Sequence, residues 1–505
     1  MDLRTMLETA AKKYGRKTAV VMGKQRLSYA QLDEAATKVA NALLEMGVKK
    51  GERVAMLLNN SPEFAAIYFG AVKIGAVAVP LDTKYKLTEL TSLFNDCQPR
   101  VLVAESQFLT PLVPALGKFK PITSVIEVGA EYKGRFPGYQ EIMATGSAKP
   151  VTVALESEDI AHIAYTSGPS FNPMGVVMSH GALAREAAIS GDSFKQTDND
   201  IVVLFALPMH HAFGLVVVLL TAITRGSTVV MLGGLFIDSL LELIERERAT
   251  IFTAVPFVHA LIVNFIKTEG IHHDLSSIRL WGTAGAAMPA DIWRKIKQHL
   301  GFSTVDFWGM TESAAQVTCQ PPDGAGKFGS VGKVLPGWEL KIVDDNGHEL
   351  PPNQPGEIIV RGPIMKGYYN NPRATAQIIR DGWLHTGDLG KLDEEGWLFL
   401  VGGRKKDLLI TKGQNIYPSD IEHVLASHPK VAEVAVVGVS DEIRGEVSRA
   451  FLRLKAGETA TEEELKKFCL ERLANYKVPK EFIFTGPLPK TAGGKIDKKS
   501  LREMK

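Results

Sequence analysis

The chain has 505 residues, 45% hydrophobic and 23% charged, with Lys+Arg 58 against Asp+Glu 56 and a formal net charge of +2. So balanced a chain carries no polycationic footprint for nucleic acid or an anionic membrane, and its length allows roughly two to four domains, each with its own core. Cys97, Cys319 and Cys469 lie far apart with no CxxC pair, which points to reduced thiols in a cytoplasmic protein without disulfides or a structural zinc.

Residues 1–5 lead into a charged amphipathic segment with no apolar signal-peptide core. Residues 27–47 begin with Ser28 and Gln31 at capping-box spacing. Leu32, Ala35, Ala36, Val39, Ala40 and Leu43 then recur at helical period, and Gly47 ends the helix. Residues 53–58 read as a buried strand. Ser61-Pro62-Glu63 opens the next helix with proline at its first position. Short apolar strands follow at 76–80 and 101–104, and alternation at this spacing predicts a parallel, helix-covered sheet. Residues 133–150 read as a surface connection.

The alternation resumes with strands at 160–165, 201–207, 228–232, 251–255 and 280–284. Residues 201–223 carry no Asp, Glu, Lys or Arg and are long enough to span a membrane. Pro208, His210, His211 and Gly214 interrupt them, however, so a strand, a turn and a buried helix start are expected instead, with no transmembrane segment. From Gly329 to Leu400 glycine, proline and short alternating strands dominate, clearest at 338–343 and 356–361, as in a small β-rich module. Gly402-Gly403 followed by Arg404-Lys405-Lys406-Asp407 cannot be a buried strand, since each buried charge would need a partner; the stretch reads as a solvated junction able to bend. Beyond it, 434–439 and 449–454 are strands. Residues 461–473 form a helix with a Thr461/Glu464 capping box.

Four stretches carry polar chemistry. Tyr165-Thr166-Ser167-Gly168-Pro169-Ser170-Phe171-Asn172-Pro173-Met174-Gly175 follows a strand and offers hydroxyls and N–H groups to phosphate oxygens; being neither a Walker nor a Rossmann pattern, it reads equally as a plain turn. Phe307-Trp308-Gly309-Met310-Thr311-Glu312 places an aromatic for a purine face, a hydroxyl for phosphate and a carboxylate for Mg²⁺ at a strand end, or else a turn and a helix start. His385-Thr386-Gly387-Asp388 is an Asp after glycine in a loop, suited to a ribose diol, and Arg404 offers a donor fork to the same group. Lys490-Thr491-Ala492-Gly493-Gly494-Lys495 presents an ammonium on a glycine-containing loop, otherwise a solvated basic tail.

In this order, and over nearly the whole chain, these stretches resemble the adenylate-forming superfamily of acyl-CoA synthetases, non-ribosomal adenylation domains and luciferases. Residues 165–175 stand where that family has YTSGTTGxPKG, and Trp308-Gly309-Met310-Thr311-Glu312 where it has YGxTE. Gly329-Ser330-Val331-Gly332 through Pro336-Gly337 looks like GSVGxxxPG. Gly356-Glu357 through Arg361-Gly362 and Gly367-Tyr368-Tyr369-Asn370-Asn371-Pro372 match a further block. Gly382 through Asp388 is close to GWxxTGD. Gly403-Arg404 through Asp407 with Gly413-Gln414-Asn415-Ile416-Tyr417-Pro418 resembles GRxKDxI…GxNIxP, and Pro489 through Lys495 matches PKTxxGK.

The resemblance implies an α/β fold: a large N-terminal AMP-binding domain, 1–403, of two helix-covered, mainly parallel sheets with a β-barrel-like subdomain at about 325–403, a hinge at 404–407, and a small α+β lid, 408–505. It implies an AMP-forming acyl-CoA synthetase using a carboxylic acid, ATP, Mg²⁺ and CoA, and leaves room for a homodimer. Carried over by position, Thr166, Ser167, Gly168 and Gly309 belong to the nucleotide cradle, Thr311 binds the α-phosphate and Glu312 binds Mg²⁺. Asp388 and Arg404 hold the ribose, while Gly285, Ala286 and Ala287 bracket adenine with Trp308. Lys495 stabilises charge in the first step, Lys406 is the hinge, Gly413 lines the pantetheine passage and His211 borders the acyl pocket. Without the resemblance His211 would read as a core histidine.

The phosphate loop departs from the pattern. Pro169-Ser170-Phe171 replaces Thr-Thr-Gly and Met174 replaces the lysine, so a cation for the β- and γ-phosphates is missing and Pro169 removes a donor. Weak ATP binding that leans on Mg²⁺ and Lys495, operation from the acyl-CoA side, and a non-catalytic binding role are the three readings this leaves. Transfer of the acyl group to a carrier protein is the nearer rival to CoA. Leu215 through Leu220 is apolar, and residues 211–224 contain no carboxylate to hold an amino-acid ammonium, which favours an apolar acyl group: medium-chain, cyclic or aromatic.

Overall fold

Local signals place most of the elements. Ser28 accepts from the Gln31 N–H at the start of the helix Tyr29–Glu45, and the Gln31 side chain accepts from the Ser28 N–H, so both halves of the box form. Ser61 caps the helix Pro62–Lys73. The two helices approach so closely that a Cβ on Gly70 would lie 2.6 Å from Val39, an approach only glycine allows. The computed structural model describes residues 1–132, 134–166, 173–404, 408–441, 443–490 and 496–504, the side chains of Thr166, Arg404, Asn415 and Lys499 aside. It divides into two compact units: 1–83, 97–164 and 175–403 form the first, and 84–96, 165–174 and 404–505 the second.

In the first unit a nine-stranded sheet has a parallel centre, in spatial order Thr18–Met22, Thr228–Leu232, Ile201–Phe205, Ile251–Ala254, Leu280–Thr283 and Thr304–Trp308, with antiparallel strands at both edges. A seven-stranded sheet has Arg53–Leu57 flanked by Val77–Pro80 and Val101–Glu105, all parallel. These central strands are apolar along their length because helices cover both faces. Antiparallel Glu339–Val343, Gly356–Arg361 and Trp383–Leu392, with Ile379–Arg380 and Leu398–Arg404, make the β-rich module.

Three expectations need correction, and a fourth, the buried helix start after Pro208, holds with a refinement. The connection read across 133–150 contains a helix, Tyr139–Thr145, whose Tyr139 and Ile142 are buried. Gly402, Gly403 and Arg404 are the end of the strand Leu398–Arg404, not a loop; a paired edge satisfies the backbone without requiring the side chains to be buried, and residues 405–407 lie outside the described residues. The helix expected at 461–473 ends at Leu470. Thr461 does cap it, but the Glu464 carboxylate pairs with Lys430 at 2.8 Å instead of closing the box. Finally, Phe213–Leu220 is a π-helix, entered by a close turn in which a Cβ on Gly214 would meet the Pro208 carbonyl oxygen at 2.4 Å. Among the described residues no helix is long and apolar enough to cross a membrane.

The second unit is a sheet of Gln414–Ile416, Leu409–Thr411, Gly445–Leu454 and Val431–Asp441, with Glu481–Phe484 added parallel to Gly445–Leu454. Ile421, Val424 and Leu425 pack on Val436, Ala450, Leu452, Leu465 and Leu473. Lys477 is buried here with Glu89 at 2.7 Å and Asp420 at 3.3 Å, and Glu89 also accepts from the Ala474 N–H. Burial pulls the Lys477 ammonium down, but Glu89, Tyr85 and Asp420 hold it above the ordinary lysine range.

Candidate active site

The parallel strands Leu280–Thr283 and Thr304–Trp308 are neighbours, so residues 284–287 and 309–316 leave the sheet at the same edge. The carboxyl ends of parallel strands are where open α/β sheets bind ligands. Gly285 takes φ +85° there, and Gly285 and Ala287 are exposed with Ala286 half-buried. Trp308 is buried at its strand end, and its Nε1–H donates to Asp388 Oδ2 at 3.1 Å. The expected adenine-bracketing and ribose-binding side chains are therefore joined directly.

Asp388 comes from within the ten-residue strand Trp383–Leu392, where the sequence suggested a loop. Glu357 pairs with Leu389 and Ile359 with His385, so Thr386, Gly387 and Asp388 share the space opposite Ile358 alone. This bulge re-aims the carboxylate. Thr386 donates to the Ile358 carbonyl at 2.7 Å and accepts from the Asp388 N–H, and Gly387, at φ +72°, donates its N–H to Glu357 Oε1 at 3.2 Å.

Thr311–Ser313 is a single 3₁₀ turn. The Ser313 hydroxyl accepts from the Met310 N–H, and Ala314 ends the turn in the left-handed region at φ +59°. A Cβ on Gly309 would lie 1.6 Å from the Ala315 carbonyl oxygen, so the turn folds back over a bare backbone. Thr311 stays half-buried, while Glu312 is buried. Tyr368 donates its hydroxyl to Glu312 Oε1 at 2.7 Å, and the Met365 N–H donates to the Glu312 carbonyl. Among the described residues no donor reaches Glu312 Oε2, and no cluster of three or more His, Cys, Asp or Glu residues stands ready for a metal. A single oriented carboxylate fits Mg²⁺, which binds through one or two carboxylates together with waters and substrate phosphates.

His211 donates its N–H to the Pro208 carbonyl and accepts from the Leu215 N–H, so it opens the π-helix; its ring lies 4.4 Å from that of His210. Phe213 from the same helix meets Phe307 edge-on at 5.2 Å, beside Trp308 in the sequence.

In the second unit Lys412 and Gly413 form the two-residue hairpin turn between Leu409–Thr411 and Gln414–Ile416, at φ +52° and +79°. This is the primed turn in which glycine is favoured. Ser167, Gly168, Lys406 and Lys495 lie outside the described residues, as do Pro169 and Phe171; so do the side chains of Thr166 and Arg404. The segment holding Lys495 is bracketed by an antiparallel bridge between Lys490 and Ile496 and by the Asp497 N–H bond to the Pro489 carbonyl. Met174 begins the strand Met174–Ser179.

The sequence motifs contain Tyr368, Thr386 and Glu357 without giving them individual roles, and they miss Glu186. Glu186 did leave a trace, an acid at the helical spacing of Leu183, Ala187 and Ser190.

A profile of the AMP-binding enzyme family matches residues 7–369, and that of the AMP-binding enzyme C-terminal domain matches residues 420–495. The chain belongs to this family, within the adenylate-forming superfamily. It is 35% identical over its full length to the indoleacetate–CoA ligase of Aromatoleum aromaticum, covering 98% of that protein. It is 32% identical to the long-chain-fatty-acid–CoA ligase of Bacillus subtilis, with 99% of the chain and 94% of that protein covered. Among solved structures, an o-succinylbenzoate CoA synthetase from Bacillus subtilis, bound to a product analogue, superposes with a TM-score of 0.87 at 31% identity, covering 100% of this chain and 99% of that one.

Proposed function

We propose that the chain is an AMP-forming acyl-CoA synthetase acting on an apolar carboxylic acid. The observation that carries the reading is the Trp308–Asp388 hydrogen bond beside the Thr311–Glu312 turn, which supports a single nucleotide cradle. In the first step a carboxylate oxygen attacks the α-phosphorus of ATP and the bond to pyrophosphate breaks. In the second, the CoA sulfur attacks the acyl carbon, its proton leaves and the bond to AMP breaks.

Asp388 accepts from the ribose hydroxyls, Arg404 is assigned to the same ribose, and Trp308 with residues 285–287 brackets adenine. Thr311 donates to the α-phosphate. Glu312 would hold Mg²⁺, which when bound offsets phosphate charge. Lys495 faces the charge that develops between carboxylate and phosphorus, worth about 4 kcal/mol at close range in a semi-polar site. His211 orients the carboxylate end of the acid. The seven buried residues Gly214 through Leu220, all uncharged, suit an apolar acyl chain or ring. The second step requires the thiol to approach with water excluded, so the scheme has the second unit turn at Lys406 and offer Gly413 to the pantetheine.

Pyrophosphate and AMP release across a panel of acids, with and without CoA, tests the reading. CoA-dependent AMP supports it; pyrophosphate exchange without CoA turnover points to a carrier-protein acceptor, and no release with any acid refutes it.

Two substitutions probe the cradle. Trp308→Phe keeps an aromatic ring but removes the N–H that holds Asp388, and should raise KM for ATP about three- to tenfold, since such a hydrogen bond contributes roughly 1 kcal/mol. Met174→Lys restores a cation near the phosphate loop and should tighten ATP binding by up to about fivefold, the upper range for a solvated ion pair. Calorimetric titration with ATP checks the second, and unchanged affinity would mean that residues 165–175 do not cradle phosphate.

A further inference from the structure

The helix His180–Ser193 turns Leu183, Ala184, Glu186, Ala187 and Ser190 inward. Four of these are small or apolar; Glu186 is a fully buried carboxylate. Three donors converge on it, one from the next turn of the helix and two from distant parts of the chain. The Gln316 N–H reaches Oε1 at 2.9 Å, the Ser190 hydroxyl reaches the same oxygen at 3.3 Å, and the Trp338 indole N–H reaches Oε2 at 3.0 Å. Arg185, next along the helix, donates to the Gly337 carbonyl and so ties down the segment that carries Trp338. Burial pushes the Glu186 carboxyl up to about 8, against the pull of Gln316, Trp338, Ser190 and Arg185. Taking a carboxylate out of water is unfavourable unless its acceptors are used.

Gln316 closes the turn that begins at Gly309. Ahead of it Ala314 holds its left-handed backbone without being glycine, a conformation that persists only where the surroundings over-determine it. The Val317 N–H bond to the Trp308 carbonyl fixes the base of the turn, and Tyr368 fixes Glu312. The Gln316 side chain donates to Ser193 on the same helix as Glu186.

We propose that Glu186 is a positioning residue for nucleotide binding: by accepting the Gln316 N–H on one oxygen and the Trp338 N–H on the other, it fixes the turn that aims Thr311 and Glu312. This rests on reading Thr311 and Glu312 as the phosphate- and Mg²⁺-binding pair. The site calls for a carboxylate because both oxygens face donors. An amide of the same shape could accept from Gln316, but would then set its NH₂ against the Trp338 N–H.

That mismatch supplies the test. Mg·ATP affinity is measured by calorimetry on the full chain at about pH 9, above the value to which burial pushes the carboxyl. Glu186→Gln is expected to weaken Mg·ATP binding about tenfold, the effect of one mispaired buried donor. Trp338→Phe removes the opposing donor, so Glu186→Gln/Trp338→Phe is expected to bind Mg·ATP within about twofold of Trp338→Phe alone; this pair carries the test even if the single variant does not fold. Unchanged affinity in Glu186→Gln, or no rescue in the double variant, overturns the inference. A parent chain that fails to bind Mg·ATP overturns the functional reading as well, whereas parental binding that Glu186→Gln leaves intact overturns the inference alone.

Discussion

Lys495→Ala is expected to lower acyl-adenylate formation about a thousandfold while thioester formation from a supplied acyl-adenylate stays within about threefold of the parent chain. The argument is one of timing. In the proposed scheme an ammonium opposite the carboxylate and the α-phosphorus offsets charge while pyrophosphate leaves, and the thiol step is assigned to another face of the second unit. Isotope exchange between pyrophosphate and ATP reads the first reaction and single-turnover thioester formation the second. Equal loss in both would refute the division of labour between two faces.

Lys477→Met should destabilise the second unit by about 3–5 kcal/mol, the usual penalty for stranding buried charge. Glu89 and Asp420 would both lose the Lys477 ammonium, and Glu89 would be left with the Lys86 and Ala474 N–H groups. Because the Lys477 pKa is raised, the pair's contribution is complete below the ordinary lysine value and is lost only as pH climbs through the higher folded-state value; neutral and mildly alkaline buffers should therefore give the same result. Adding Glu89→Gln removes one stranded charge and should recover part of the loss. Urea unfolding of the full chain, followed by hydrogen exchange at the strands Val431–Asp441 and Gly445–Leu454, measures both. A change below about 1 kcal/mol would show that the pair contributes no net stability.

The elements legible in the sequence were those whose cause is local. The Ser28/Gln31 box, the Ser61-Pro62 start and the apolar strand Thr228–Leu232 each depend on residues within a few positions of one another. The candidate site was legible as a set of motifs because Trp308 through Glu312 and Gly382 through Asp388 are contiguous. What escaped depends on contacts between distant segments. Nothing near Asp388 announces that Ile358 faces three residues instead of one, and nothing in Phe213–Leu220 announces a π-helix, since an unbroken apolar run has no period to read.

The sequence by itself determined the family, the order of the functional blocks and the chemistry that each can offer, because hydroxyl, carboxylate and ammonium are properties of residues. Only the tertiary structure decided which of them meet. Trp308 and Asp388 are 80 positions apart and Glu186 and Trp338 are 152 apart, yet each pair shares one hydrogen bond. The physical reason is that a buried acceptor must find its donors wherever the packed sheets bring them, and no local pattern records that need.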